Sequence, residues 1–83
     1  MSALETLDTR GLLCPLPVIR TQEKVRTLPD GSELEVIATD PGTRQDIPAW
    51  CRVHGHTLVS EDTVAGDAGG GRLYRFRIRV QKT

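Results

Sequence analysis

The chain has no net charge: over 83 residues, eleven Lys and Arg are cancelled by eleven Asp and Glu. A balanced chain projects no global field, so its charge does not point to DNA, RNA or an anionic membrane. No apolar run approaches the ~20 residues that span a bilayer, and the N-terminus lacks the charged-then-apolar pattern of a secretion signal. A cytoplasmic protein with no membrane association is therefore expected. No phosphate-binding glycine loop is present, because Gly69-Gly70-Gly71 is not followed by a helix. Paired-carboxylate and Ser-His-Asp arrangements are also missing. Cysteine is scarce, with Cys14 and Cys51 alone, and without a secretion signal a reduced thiol is a better reading than a disulfide. Cys51, His54 and His56 crowd three potential ligands into one short stretch with no second pair, which does not match a structural zinc pattern. No metal and no cofactor is expected.

What is present suits one domain over residues 1–83, with a modest core and no room for a deep enzymatic cleft. Leu4 to Asp8 makes a plausible first strand. From Pro15 to Leu28 the positions Val18, Thr21, Val25 and Leu28 recur at helical spacing, with Gln22 a polar interruption on the same stripe. Pro29-Asp30-Gly31-Ser32 is turn chemistry. Glu33 to Thr39 then alternates, with Leu34, Val36 and Ala38 on one side. After the Asp40-Pro41-Gly42 break, Thr43 and Asp46 resemble a capping box, and Pro48 places the regular helix from Asp46 onward. Ile47, Trp50, Cys51 and His54 form its stripe, and Gly55 is a left-handed stop. Thr57 to Thr63 is a weak strand, and Ala65 to Gly71 a turn. Leu73 to Val80 alternates without a break, with Tyr74, Phe76, Ile78 and Val80 inward and Arg75, Arg77 and Arg79 outward.

The order strand, helix, strand, helix, strand, strand predicts an α/β two-layer sandwich. Right-handed crossovers place both helices on one face, and the final hairpin adds an antiparallel strand. The other face is open to water, where the three arginines can pair with Glu33 and Glu35. An RNA platform would need aromatics on the arginine face, yet Tyr74 and Phe76 point the other way.

Cys14 carries the chemistry. It lies between a strand and a helix, with Pro15 suited to the first helical position and Cys14 to the N-cap. Sulfur at a helix N-terminus is expected to have a lowered pKa. Pro17 has no N–H either, so of the first three helical positions Leu16 alone offers a donor, and the cysteine is presented rigidly rather than cradled. Filling space as a small buried apolar group is the competing account. Both βα turns open at one sheet edge, so Cys14 should lie near the Asp40 to Thr43 turn; turn geometry alone already explains Asp40. For Cys51, core packing is the simpler account and a resolving thiol for Cys14 the alternative.

The run Leu7-Asp8-x-x-Gly11-Leu12-x-Cys14-Pro15-x-Pro17, with the Asp40-Pro41 turn and Asp46-Ile47-Pro48-x-Trp50-Cys51, closely resembles the TusA (SirA-like) sulfur-carrier family. The resemblance covers nearly the whole chain, departing where Leu16 replaces the Glu of some relatives and in the longer glycine-rich turn. It implies a βαβαββ sandwich with a mixed four-stranded sheet in the order 1-2-4-3. It also implies a sulfurtransferase in which Cys14 accepts sulfane sulfur as a persulfide from a cysteine desulfurase or rhodanese and passes it to a partner's cysteine. In such a relay, ending in tRNA 2-thiouridine or in dissimilatory sulfur metabolism, Asp8, Gly11, Pro15, Pro17 and Asp40 would support the motif. Leu16, Arg20 and Lys24, sharing the outer face of the first helix, would dock the partners. A monomer in isolation, with no direct nucleic-acid contact, is expected. Two other classes stay open: a non-catalytic regulatory or RNA-binding module using Arg75, Arg77 and Arg79, and a thiol-redox protein cycling Cys14 and Cys51.

Overall fold

The computed structural model describes residues 4–65 and 71–82. Its elements run β1 (Leu4–Thr9), α1 (Leu16–Val25), β2 (Glu33–Ala38), α2 (Thr43–His54), β3 (Thr57–Ala65) and β4 (Arg72–Arg79). The strands form one mixed sheet in the order β1-β2-β4-β3. β1 pairs parallel with β2, and β4 pairs antiparallel with both β2 and β3. The glycine-rich turn expected over Ala65 to Gly71 spans positions 66–70, which lie outside the described residues.

Period-2 alternation decides which face is covered. Leu34, Val36 and Ala38 of β2 and Phe76 and Ile78 of β4 are fully buried, and register sets Val36 opposite Phe76 and Leu34 opposite Ile78. Val25 from α1 and Ile47, Trp50 and Cys51 from α2 close over the same side chains, with Leu7, Val18 and Leu58 packed at the margin. Both helices therefore lie on one face of the sheet. Trp50 Nε1 donates to Gln22 Oε1 at 3.3 Å, so the polar interruption on the α1 stripe supplies an acceptor between the helices.

Two helix boundaries differ from the sequence expectation. α1 ends at Val25 and not Leu28, and tight turns carry the chain on, with Thr27 N–H donating to the Lys24 carbonyl and Leu28 N–H to that of Val25. Leu28 stays buried, so the apolar stripe outlasts the helix; Pro29 disfavours helical dihedrals at the residue before it. α2 starts at Thr43 rather than Asp46, with Gly42 as its N-cap, no side-chain cap and Pro48 inside the helix. The Thr43 hydroxyl donates backwards to the Asp40 carbonyl at 2.7 Å, which leaves the Asp46 carboxylate free of capping work. Gly55 closes α2 with φ +78°, as its position predicts.

The exposed sheet face carries the arginine row in ion pairs. Arg79 and Arg77 reach Glu33 at 3.1 and 4.0 Å, and Arg75 reaches Asp62 at 3.9 Å. Glu35 makes no such pair among the described residues; Asp62, directly opposite Arg75 across the β3–β4 ladder, serves the third arginine instead.

Candidate functional site

After β1 the chain turns sharply. Gly11 adopts φ +82°, a region closed to most side chains, and its N–H donates to Thr39 Oγ1 beyond the end of β2. Asp8 folds onto Arg10, donor of three hydrogen bonds to its carboxylate at 2.8 to 3.0 Å; these bonds hold Asp8 down at a pKa of about 2. Asp8 thus braces the turn and does not engage the sulfur. Cys14 follows, exposed, with a cis peptide to Pro15.

Cys14 is not the helix cap. Pro15 holds that position, and α1 begins one residue later, at Leu16. The Leu16 N–H donates to the Leu13 carbonyl at 2.9 Å, while Pro15 and Pro17 have no N–H to give. These three positions therefore leave no donor for the sulfur. The neighbouring turn supplies acceptors. Asp40 Oδ2 accepts the Cys14 backbone N–H at 2.7 Å, and Asp46 Oδ2, from the first turn of α2, accepts the thiol. The hydrogen bond to Asp46, then desolvation, then the charges of Asp46 and Asp40 push the Cys14 pKa up. This reverses the expected lowering. A helix end contributes roughly half a unit charge, whereas the turn sets two whole carboxylates beside the sulfur. The Asp40 to Thr43 turn does lie against Cys14, as the shared sheet edge requires: a Cβ on Gly42 would stand 3.7 Å from that of Cys14.

Residues 5–80 match the family model described as Sulfurtransferase TusA. The chain belongs to the TusA family. Among curated proteins, the sulfur carrier protein TusA of Pseudomonas syringae pv. syringae is 55% identical over 60 residues, covering 72% of this chain and 71% of that one. Its namesake from Pseudomonas aeruginosa PAO1 is 53% identical over 60 residues, 72% and 76% of the two chains. A solved SirA-like protein from Desulfitobacterium hafniense shares the fold, with a TM-score of 0.70 over 96% of this chain and all of that chain, at 22% identity.

Within this TusA frame, Pro17 is buried and its carbonyl accepts the Thr21 hydroxyl at 2.8 Å, anchoring the start of α1 below the exposed cysteine. The outer face of α1 is more apolar than its charges suggested. Leu16 is 41% exposed, and it is joined by Ile19 at 45% and, before the helix, Leu13 at 71%. Arg20 is exposed and pairs with Glu23 at 3.4 Å. Lys24 is half-buried and reaches sideways to Glu5 of β1 at 3.1 Å, so it is partly withdrawn from the surface assigned to it. Leu13 and Ile19 escaped sequence reasoning because neither sits on a periodic stripe.

Cys51 is buried in the core, where desolvation pushes its thiol up to about 11, as packing predicts and a resolving thiol would not need. His54 and His56 both pack against the Trp50 ring, with centroids 5.3 and 4.9 Å away, and His56 Nδ1 accepts the Gln81 N–H at 3.0 Å. Among the described residues no helix is long and apolar enough to cross a membrane.

Proposed function

We propose that this TusA-family protein is a sulfur-relay carrier whose Cys14 accepts sulfane sulfur as a persulfide from a donor protein and gives it up to a cysteine of an acceptor protein. The observation that carries the reading is Cys14 itself: exposed, not in a disulfide, and fixed between a braced turn and a proline-started helix. Transfer by attack at sulfur needs a presented atom and a good approach path rather than a cleft. With the resting thiol kept protonated, most of the rate belongs to the partner, so the sulfurtransferase activity is shared with it. A cysteine desulfurase or rhodanese is the donor class that fits, and 2-thiouridine synthesis or dissimilatory sulfur metabolism the destination, in a reducing cytoplasm. The exposed Leu13, Leu16 and Ile19, flanked by Arg20, form the docking surface beside the sulfur. The paired arginine row, with Tyr74 and Phe76 buried behind it, does not favour an RNA-binding module.

Intact mass after incubation with a cysteine desulfurase and cysteine tests this. A gain of ~32 Da per sulfur, reversed by a reductant, is expected for the wild type. Cys14→Ser should not gain it while keeping its fold, and Cys51→Ser should gain it as the wild type does. Loading of Cys14→Ser, or dependence on Cys51, would overturn the assignment.

A further inference from the structure

We propose that Asp46 is a positioning residue that distinguishes the empty carrier from the loaded one: it holds the Cys14 thiol against α2 until sulfur arrives and releases it afterwards. The proposal rests on the carrier reading above. The charged groups facing the sulfur are Asp46, from the first turn of α2, and Asp40, from the turn between β2 and α2. Among the described residues no ion pair to either carboxylate is found.

A thiol suits this setting because it has a hydrogen to donate and no charge to be repelled. In the transfer, Cys14 Sγ attacks the outer sulfur of a donor persulfide, R–S–SH. The new Sγ–S bond forms as the donor S–S bond breaks; the electron pair leaves on the donor sulfur, which takes up the proton that Cys14 gives away. The balance is R–S–SH + Cys14–SH → R–SH + Cys14–S–SH, with no net oxidation. Sγ is then bonded to Cβ and to the new sulfur and carries no hydrogen, so its bond to Asp46 can no longer be made. The outer S–H, more acidic than a thiol, then gives its proton to water, and the two nearby carboxylates drive the resulting anion outward by rotation about Cα–Cβ and Cβ–Sγ. The empty carrier, though its sulfur is exposed, therefore keeps it as a thiol bonded to Asp46 and slow towards stray electrophiles. Loading alone presents the cargo.

Asp46→Asn in the full-length protein tests this through two rates. In the empty form, alkylation of Cys14 by iodoacetamide should have its pH midpoint lowered and run several-fold faster at neutral pH, because removing the carboxylate raises the thiolate fraction. In protein loaded by a cysteine desulfurase and cysteine, alkylation of the persulfide should differ between wild type and variant by less than about two-fold, because the outer sulfur is already ionised and displaced. An unchanged thiol midpoint, or equal acceleration of thiol and persulfide, overturns the proposal. The 13C shift of the Asp46 carboxyl in the wild type serves if the variant does not fold: it should move on loading, and a fixed shift overturns the proposal. A wild type that gains no sulfur overturns the carrier reading instead, a result distinguishable from a loaded protein in which Asp46 makes no difference.

Discussion

Asp40 joins the two loops of the site: Oδ2 accepts the Cys14 backbone N–H at 2.7 Å while Oδ1 accepts the N–H of Gly42 at 3.3 Å. One side chain thus ties the turn that presents the sulfur to the turn that opens α2.

Asp40→Ala should loosen that tie. The loss in stability should be about 1 kcal/mol, below the ~1.5–3 kcal/mol usual for a hydrogen bond to a charged group because the site is only half-buried, read from urea denaturation. Sulfur acceptance should fall several-fold as Cys14 loses its fixed pose, and Asp40→Asn, which keeps one acceptor, should lie between. Acceptance unaffected by either change would show that the pose of the cysteine is set elsewhere.

The docking surface can be separated from the fold. Leu16→Asp with Arg20→Glu alters exposed positions, so stability should change by no more than about 0.5 kcal/mol. Persulfide acceptance from a cysteine desulfurase should drop about ten-fold or more, the size expected for losing an apolar anchor from an interface. Lys24→Glu should weaken transfer less and stability more, since it sets a like charge against Glu5. Equal loading by the double variant and the wild type would remove this face of α1 from the interface.

Stability should depend on pH in three windows whose signs follow from linkage. His56 is lowered from 6.5 by burial, then by His54 and Lys82, so the unfolded chain takes up its proton first; stability is full above 6.5 and declines as pH falls through the lower folded value. Asp8 is lowered from 3.8 to about 2 by its bonds to Arg10, so its contribution is present above 3.8 and lost as pH falls towards 2. Cys51, raised from 9.0 to about 11 by burial, acts oppositely, contributing fully below 9.0 and fading as pH rises towards 11. Thermal melts from about pH 2 to about pH 11 should show these slopes, and His56→Gln should flatten the near-neutral one; an unaltered slope in that variant would assign it to another group.

The elements were legible because their signals are local. β4 announced itself by unbroken alternation from Leu73 to Val80, and Phe76, Ile78 and Val80 are buried where the period puts them. Asp46 was legible as a first-turn acid, but not for what it touches. A capping role satisfied it on paper, until Gly42 took the cap and the Thr43 hydroxyl turned back to the Asp40 carbonyl. Lys24 likewise lies on the outward arc of the α1 wheel, and nothing in the wheel indicates that Glu5 on the adjacent strand draws it aside.

By itself the sequence determined the strand and helix order and the buried faces of α1, β2, α2 and β4, and it singled out Cys14 as the candidate for the chemistry, since periodicity and a Cys-Pro-x-Pro run are properties of neighbours along the chain. Tertiary structure decided the state of that atom. Asp40 and Asp46 lie 26 and 32 positions from Cys14 and meet it because parallel pairing of β1 with β2 brings both βα turns to one sheet edge. Coulomb and hydrogen-bond energies depend on separation in space, so one carboxylate bonded to the sulfur and a second on the Cys14 backbone N–H outweigh a helix end whose nearest donors are absent or already engaged.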